Sequence, residues 1–316
     1  MKYAKLGDTE IPAIALGTWS WGTGINGGNQ IFGNSYGEED LKPVFELAMK
    51  QGFNLWDTAA VYGMGAAEKI LGSYIKDNPN VILSTKFTPL GLQTRKAVGR
   101  FLKKSCCRLG VEQVDLYWVH SPANVQKWTK ELIPLLKQGK VKHVGVSNHN
   151  LEQVKEADYI LKQVGFKLSA VQNHYSLLYR VSEETGILKW CEENQVVFFS
   201  YMVLEQGALT GKYDGEHPFK RGTRRAKAFP VEVLNQIQGL LKGLRDLGEQ
   251  YKATPVQITI AWALAKGTVP IIGVTKKEQV EDLSKTFEIE LTAKEVKGLE
   301  RLAKDVGVDV KASWEN

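Results

Sequence analysis

A chain of 316 residues is about twice the length of an ordinary domain, which leaves one large α/β barrel or two ordinary domains to be distinguished. With 43% hydrophobic and 24% charged residues, it carries enough apolar mass for a sizeable core, and a mainly disordered state is excluded. The net charge is +6, but basic and acidic residues alternate along most of the chain, so nucleic acid is not expected as a partner. A local basic spot would suffice for a phosphate-bearing small molecule. Cys106, Cys107 and Cys191 fit neither a disulfide framework nor a Cys-x-x-Cys zinc or redox pattern. A reducing, cytoplasmic location and no bound metal are therefore expected. Met1 to Gly17 contains Asp8 and Glu10 and no long apolar core, and stretches such as Val269 to Val274 fall far short of a bilayer span. Neither a leader nor a membrane segment is expected.

In chain order, Lys2 to Ile11 reads as a hairpin turning at Gly7-Asp8, placed to plug one end of a barrel. Short β-branched runs then alternate with helical patterns. The strands are Ala13 to Leu16, Asn54 to Trp56, Val81 to Thr85, Val114 to Val119, Val141 to Val146, Ala170 to Gln172, Val196 to Ser200 and Val269 to Ile272. The helices between them are Glu39 to Gln51, Ala66 to Lys76, Arg95 to Leu109, Lys127 to Lys137, Leu151 to Val164, Glu183 to Glu193 and Pro255 to Lys266, with Lys277 to Lys285 after the last strand. Gly52, Gly110, Gly139 and Gly267 stand just past helical patterns, and Thr254-Pro255 reads as an N-cap and first helical position. Apolar runs such as Val81-Ile82-Leu83 require cover on both faces, as in a parallel sheet. No compositional break marks a domain boundary, so the predicted fold is α/β: a single (β/α)8 TIM-type barrel spanning 1–316, with the N-terminal hairpin. Val231 to Tyr251 and Thr292 to Ala303 add two extra helices, and Glu205 to Phe229 is a long, basic loop of the kind that holds ligands.

In such a barrel the active site lies at the carboxyl ends of the strands. The eight ends carry, in order, Gly17-Thr18-Trp19; Asp57 with Tyr62 five residues on; Lys86; His120; Ser147-Asn148; Gln172-Asn173; Tyr201; and Gly273 with Thr275 and Lys276 beyond. Asp57, Tyr62, Lys86 and His120 form a chemically coherent group. A tyrosine with its ordinary pKa of about 10 donates a proton efficiently near neutrality only if that value falls by roughly two to three units. A lysine ammonium, kept charged by a carboxylate, would achieve this, and a histidine could orient a carbonyl toward the phenol. The chemistry implied is protonation of an oxygen as a carbonyl is reduced, or the reverse.

The strings LGTWSWG from Leu16, WDTAAVYG from Trp56, STK ending at Lys86, VDLYWVH ending at His120 and GKVKHVGVSN from Gly139 resemble those of the aldo-keto reductases. So do VQNHYSLL from Val171, GALTGKY from Gly207 and TPVQITIAWAL from Thr254. The resemblance covers nearly the whole chain and implies hydride transfer between a nicotinamide dinucleotide and an aldehyde or ketone. It makes Tyr62 the general acid, Lys86 and Asp57 its tuners and His120 the orienting group. Thr18 and Trp19 join the cofactor-binding set, with Ser147, Asn148 and Gln172 gripping the carboxamide and Tyr201 stacking on the nicotinamide. Leu204 to Lys212, including Gly207, matches the segment over the pyrophosphate, and Gly273, Thr275, Lys276 and Gln279 match the adenosine-phosphate site. Trp21, with Tyr62 and His120, is expected to contact substrate, and Trp19 and Trp118 to line the same apolar pocket, bounded by loops 22–36 and 121–128 and the C-terminal tail.

Met202-Val203 stand where the family often has Ser-Pro, and Gln279 and Leu283 where Arg and Asn are common. Lys276 and Lys277, with Arg224 or Arg225, can still supply positive charge for a 2′-phosphate, so NADP(H) is favoured over NAD(H). Two other classes use parts of the same pattern: a barrel lyase forming a Schiff base on Lys86, and a nicotinamide-binding regulatory or sensing subunit with little turnover. Ser147-Asn148 could also serve simply as the cap of the helix that begins near Leu151.

Overall fold

Two short strands, β1 (Tyr3–Leu6) and β2 (Thr9–Pro12), pair antiparallel with Leu6 opposite Thr9, so Gly7-Asp8 is a two-residue turn. Gly7 has φ 60 and lies over His143, where a Cβ would come within 2.8 Å of the ring, so the turn requires glycine both for its backbone and for space. The apolar runs that follow need cover on both faces, and the chain supplies it by closing eight parallel strands on themselves. In the computed structural model, which describes residues 1–76, 78–91, 93, 94 and 96–311, these strands are β3 (Ala15–Gly17), β4 (Leu55–Asp57), β5 (Ile82–Phe87), β6 (Val114–Val119), β7 (Val141–Ser147), β8 (Ala170–His174), β9 (Val197–Tyr201) and β10 (Val269–Gly273). β10 closes the barrel against β3, with Gly273 beside Gly17.

The barrel interior is filled from below. Leu6 and Ile11 of the hairpin are fully buried with Leu55, Leu116, Trp118, Phe199 and Val269 in one cluster, each aliphatic contributing about 1.5–3 kcal/mol relative to exposure. Gly145 on β7 makes room for the central indole, since a Cβ there would lie 2.3 Å from the Trp118 ring. A second, larger cluster joins the outer faces of the strands to the helices. Trp21 belongs to it: it is fully buried, its ring centroid is 5.2 Å from that of Trp56, and its Nε1 donates to the Val274 carbonyl at 2.8 Å. The expectation that Trp21 and Trp118 line a substrate pocket is therefore corrected. Both rings fill core volume, and the Trp118 Nε1 is spent on Ser84 Oγ at 2.7 Å.

Helix ends follow the local signals. Gly52, Gly110, Gly139 and Gly267 all adopt positive φ, and Thr254 caps the helix Pro255–Ala265 in a box with Gln257. Two expected helices are each interrupted. Glu183 to Glu193 becomes Val181–Glu184 and Ile187–Glu193, broken at Gly186 with φ 82; Val231 to Tyr251 becomes Val231–Gln236 and Gln238–Tyr251. The helix expected from Arg95 runs over Ala97–Leu109; Arg95 itself and tail residues 312–316 lie outside the described residues. The last extra helix spans Ala293–Val306. No helix among the described residues is long and apolar enough to cross a membrane.

Candidate active site

The register of the first barrel strands creates the central contact. Asp57, the last residue of β4, lies opposite Ser84 on β5, and Lys86 stands two residues further along the same face. Lys86 is fully buried, and its three ammonium protons have three acceptors: Asp57 Oδ2, the Thr58 carbonyl at 2.9 Å and the Tyr62 hydroxyl at 3.4 Å. Asp57 Oδ1 in turn accepts from Ser84 Oγ at 2.7 Å and from Gln172 Nε2 at 3.3 Å. A buried ion pair is tolerated only when its remaining lone pairs and protons are also met, and here each is. Burial pushes the Lys86 ammonium down, but Asp57 and Tyr62 outweigh it and hold its pKa above the ordinary lysine value.

Tyr62 stands in the turn between β4 and the helix Ala66–Ile75. Gly63, Met64 and Gly65 are successively left-handed, with φ 57, 53 and 95. The non-glycine Met64 costs about 1–2 kcal/mol in that conformation, and backbone strain of this kind concentrates at functional sites. The half-buried Tyr62 ring stacks on Trp19 at 6.0 Å and meets the edge of His120 at 6.2 Å. Its pKa departs from the expectation. Burial raises it more than the Lys86 ammonium lowers it, and Asp57 adds to the rise, so the phenol lies above its usual value. The direction is sensible for a proton donor, which must be protonated before it acts. Lys86 makes the phenolate less costly than burial alone would leave it.

His120 follows β6. Its backbone N–H donates to the Phe87 carbonyl at 2.8 Å, its carbonyl accepts from Asn148 Nδ2 at 3.0 Å, and Nδ1 lies 3.1 Å from Thr88 Oγ1. Burial, with the Lys86 charge, pushes its pKa down to about 3, so the imidazole is neutral throughout the physiological range. His149, one position past Asn148, is likewise pushed by burial to about 4.

The residues expected to hold a dinucleotide occupy the rim of the same end. Thr18 is buried, and both its N–H and its hydroxyl donate to the Asp57 carbonyl, at 3.0 and 3.3 Å. Trp19 remains partly exposed over Tyr62. Ser147 and Gln172 are buried; Asn148 is half-buried with φ 63, and its Oδ1 accepts from the Tyr201 hydroxyl at 2.6 Å. The helix after β7 is capped by Asn150 with Gln153, which frees Ser147 and Asn148 from the capping role. Leu204 and Gly207 lie on the loop after β9, where Met202, Glu205 and Gln206 are left-handed, and Lys212 at the end of that segment is exposed. Gln279 Oε1 accepts from the backbone N–H of Thr275 at 2.7 Å and of Lys276 at 3.0 Å, so this glutamine is engaged in shaping the loop after β10.

A ligand rich in oxygen acceptors fits this rim. Gly273 is exposed, and a Cβ there would touch only the Gly17 carbonyl and Ser20 Oγ, each at 3.9 Å. The Ser20 hydroxyl beside it is buried with no protein partner. Among the described residues, no group of three or more His, Cys, Asp or Glu is placed to hold a metal ion.

Sequence reasoning alone missed Ser84, Thr58 and Thr88, which fix Asp57, Lys86 and His120. It also missed a buried His174–Glu205 pair at the same end. The Thr and Ser residues carry no signal in isolation, whereas a charged Glu205 in an otherwise neutral stretch after β9 was a readable one.

The family model described as the Aldo/keto reductase family matches residues 13–304. The chain is similar to the chloroplastic pyridoxal reductase of Arabidopsis thaliana, at 31% identity over 95% of this chain and 86% of that protein. It is also similar to an NADP(+)-designated aldo-keto reductase of Schizosaccharomyces pombe, at 28% identity over 93% and 88% of the two chains. Among solved structures, the glycerol dehydrogenase of Gluconobacter oxydans superimposes with a TM-score of 0.81 at 25% identity, covering 95% of this chain and 94% of that one. The chain belongs to the aldo-keto reductase family and is an NAD(P)H-dependent oxidoreductase.

The low pKa of His120 has a consequence for stability. The unfolded chain takes up a proton near pH 6.5 that the folded chain refuses until about pH 3, so the residue weakens the fold as pH falls through that window. His120→Gln should therefore gain stability relative to the parent between pH 7 and pH 5, measured by urea unfolding at each pH. A stability difference independent of pH would contradict the assignment.

Proposed function

We propose that the enzyme reduces aldehydes or ketones to alcohols with NADPH, Tyr62 acting as the proton donor. The single observation that carries this reading is the Lys86 ammonium, fixed by Asp57 and directed at the Tyr62 hydroxyl at 3.4 Å. A nicotinamide dinucleotide, when bound, supplies the hydride for the carbonyl carbon. The chain's own part is to position the carbonyl and meet the charge that develops on its oxygen. His120 is neutral, and in the tautomer in which Nδ1 accepts from Thr88 Oγ1 its Nε2–H is the hydrogen-bond donor to that oxygen. Tyr62 delivers its proton to the same oxygen while Lys86 stabilises the emerging phenolate. Trp19, partly exposed and stacked on Tyr62, with Phe32 edge-on to it at 5.5 Å, offers an apolar wall for the substrate.

Thr18, Trp19, Ser147, Asn148, Gln172 and Tyr201 would hold the nicotinamide end. The loop through Leu204, Gly207 and Lys212 would cover the pyrophosphate, with Gly273, Thr275, Lys276 and Gln279 at the adenosine end. Lys276 and Lys277 are exposed after β10, and the Arg225 guanidinium sits among the Phe32, Tyr213 and Phe219 rings at the edge of the Gly207 loop. This positive charge, together with the name of the Schizosaccharomyces pombe relative, supports NADPH over NADH. A Schiff-base mechanism is disfavoured, because Lys86 is enclosed and held protonated, which removes the lone pair such chemistry needs. A purely regulatory role is disfavoured by the fully bonded Asp57, Lys86 and Tyr62 chain, which a binding subunit does not require.

Tyr62→Phe should retain cofactor affinity and lose roughly 100-fold or more in kcat on a panel of aromatic and aliphatic aldehydes, the scale of a missing general acid. Near-parental turnover would refute the role of Tyr62. Lys276→Ala should raise the Kd for NADPH more than that for NADH, followed by quenching of protein fluorescence. Equal losses for the two would remove Lys276 from the 2′-phosphate site.

A further inference from the structure

Glu205 is a fully buried carboxylate that the chemistry above does not use. It opens the turn Glu205–Thr210 in a left-handed conformation, φ 47, immediately after the segment that carries Tyr201 and Leu204. Its Oε1 accepts from Ser176 Oγ and lies 2.8 Å from His174 Nε2. Ser176 Oγ also accepts from the backbone N–H groups of Leu178 and Tyr179, each at 3.1 Å. One carboxylate thus ties the loop after β8 to the loop after β9. The His174 imidazole stacks on two rings, its centroid 4.3 Å from that of Tyr179 and 5.7 Å from that of Tyr201, with interplanar angles of 11° and 23°.

We infer that His174 and Glu205 act as a pair of positioning residues for the dinucleotide, setting the Tyr201 ring and the first turn of the loop that covers the pyrophosphate. The inference rests on Tyr201 and Leu204 to Lys212 facing the cofactor, as proposed above. An apolar pair could pack these loops without desolvating a carboxylate, so what the polar pair adds is one defined geometry: directional bonds that fix a loop otherwise free to choose among turns. Glu205 and Gln206 are both left-handed, and two successive strained residues persist only where neighbouring bonds determine them. The bond to His174 supplies that constraint from the β8 side, and the stacking of the same imidazole carries it to Tyr201. The parts of the dinucleotide concerned are common to NADPH and NADH, so the effect is independent of the 2′-phosphate.

The test is cofactor affinity measured by fluorescence quenching with NADPH and NADH in parallel, on the full chain well below the thermal midpoint of each variant. Glu205→Ala and His174→Phe should each weaken both cofactors by a similar factor of tenfold or more, with the carbonyl KM at saturating cofactor within twofold of the parent. The double variant should be no weaker than the worse single, because Glu205→Ala already removes the bond through which His174 acts on the loop, together with the one from Ser176. Glu205→Gln, which keeps the acceptor oxygen, should restore affinity to within threefold of the parent; it also serves where Glu205→Ala fails to fold. Unchanged affinity in folded Glu205→Ala and His174→Phe would overturn the inference, as would additive losses in the double variant. A loss in Glu205→Gln equal to that in Glu205→Ala would overturn the hydrogen-bond geometry on which it stands. Failure of the parent protein to bind either dinucleotide is a different result, and overturns the proposed function itself.

Discussion

A lysine ammonium with no access to water must have every proton accepted, and in this protein that requirement organises one end of the barrel. Lys86 is neutralised by Asp57, tied to the backbone of Thr58 and directed at Tyr62. Asp57 is held in turn by Ser84 and Gln172, and Ser84 by the indole of Trp118 from the centre of the barrel. Four strands, β4, β5, β6 and β8, therefore contribute to holding one charge. Removing any member leaves a buried polar group without its partner, which is far costlier than losing a surface ion pair. The interior packing and the chemistry are consequently one structure: Trp118 is core, yet it orients the residue that orients the carboxylate.

The neighbourhood also explains why the titrations fall as they do. The same burial that raises Tyr62 lowers His120, and the Lys86 charge opposes the first and reinforces the second. A protonated phenol and a neutral imidazole side by side give two hydrogen-bond donors at neutral pH without a second positive charge. Around them, left-handed non-glycine residues recur at the rim, at Met64, Asn148, Met202, Glu205 and Gln206. The barrel strands themselves are free of such residues; others lie in connections elsewhere, at Asn26, Lys96, Asn124, Gln195 and Lys252, and the densest group is the one after β9.

The periodicity of the sequence was sufficient to locate every barrel strand, because buried parallel strands are short, apolar and bounded by helices with glycine at their C-terminal ends. The four chemical residues were legible for a related reason: Asp57, Lys86 and His120 stand where strand runs end, and Tyr62 follows Asp57 by five residues. What the sequence could not convey was direction. Trp19 and Trp21 are two residues apart, yet one faces Tyr62 and the other is buried against Trp56, a difference decided by how the loop after β3 leaves the barrel. The sign of the Tyr62 shift was equally hidden, since it depends on how completely water is excluded around a known set of charges. His174 and Glu205 lie 31 residues apart and meet only because adjacent barrel strands bring their loops together.

The central claim is that the ammonium at position 86 lowers the cost of forming a phenolate on Tyr62. The most direct measurement is single-turnover reduction of an aromatic aldehyde by Lys86→Met with saturating NADPH, with cofactor affinity determined separately. The account requires the chemical step to slow by roughly 100-fold or more, on the scale of a lost electrostatic contact in a buried site, while the dinucleotide still binds. A variant that binds NADPH and reduces the aldehyde at the parental rate would contradict it.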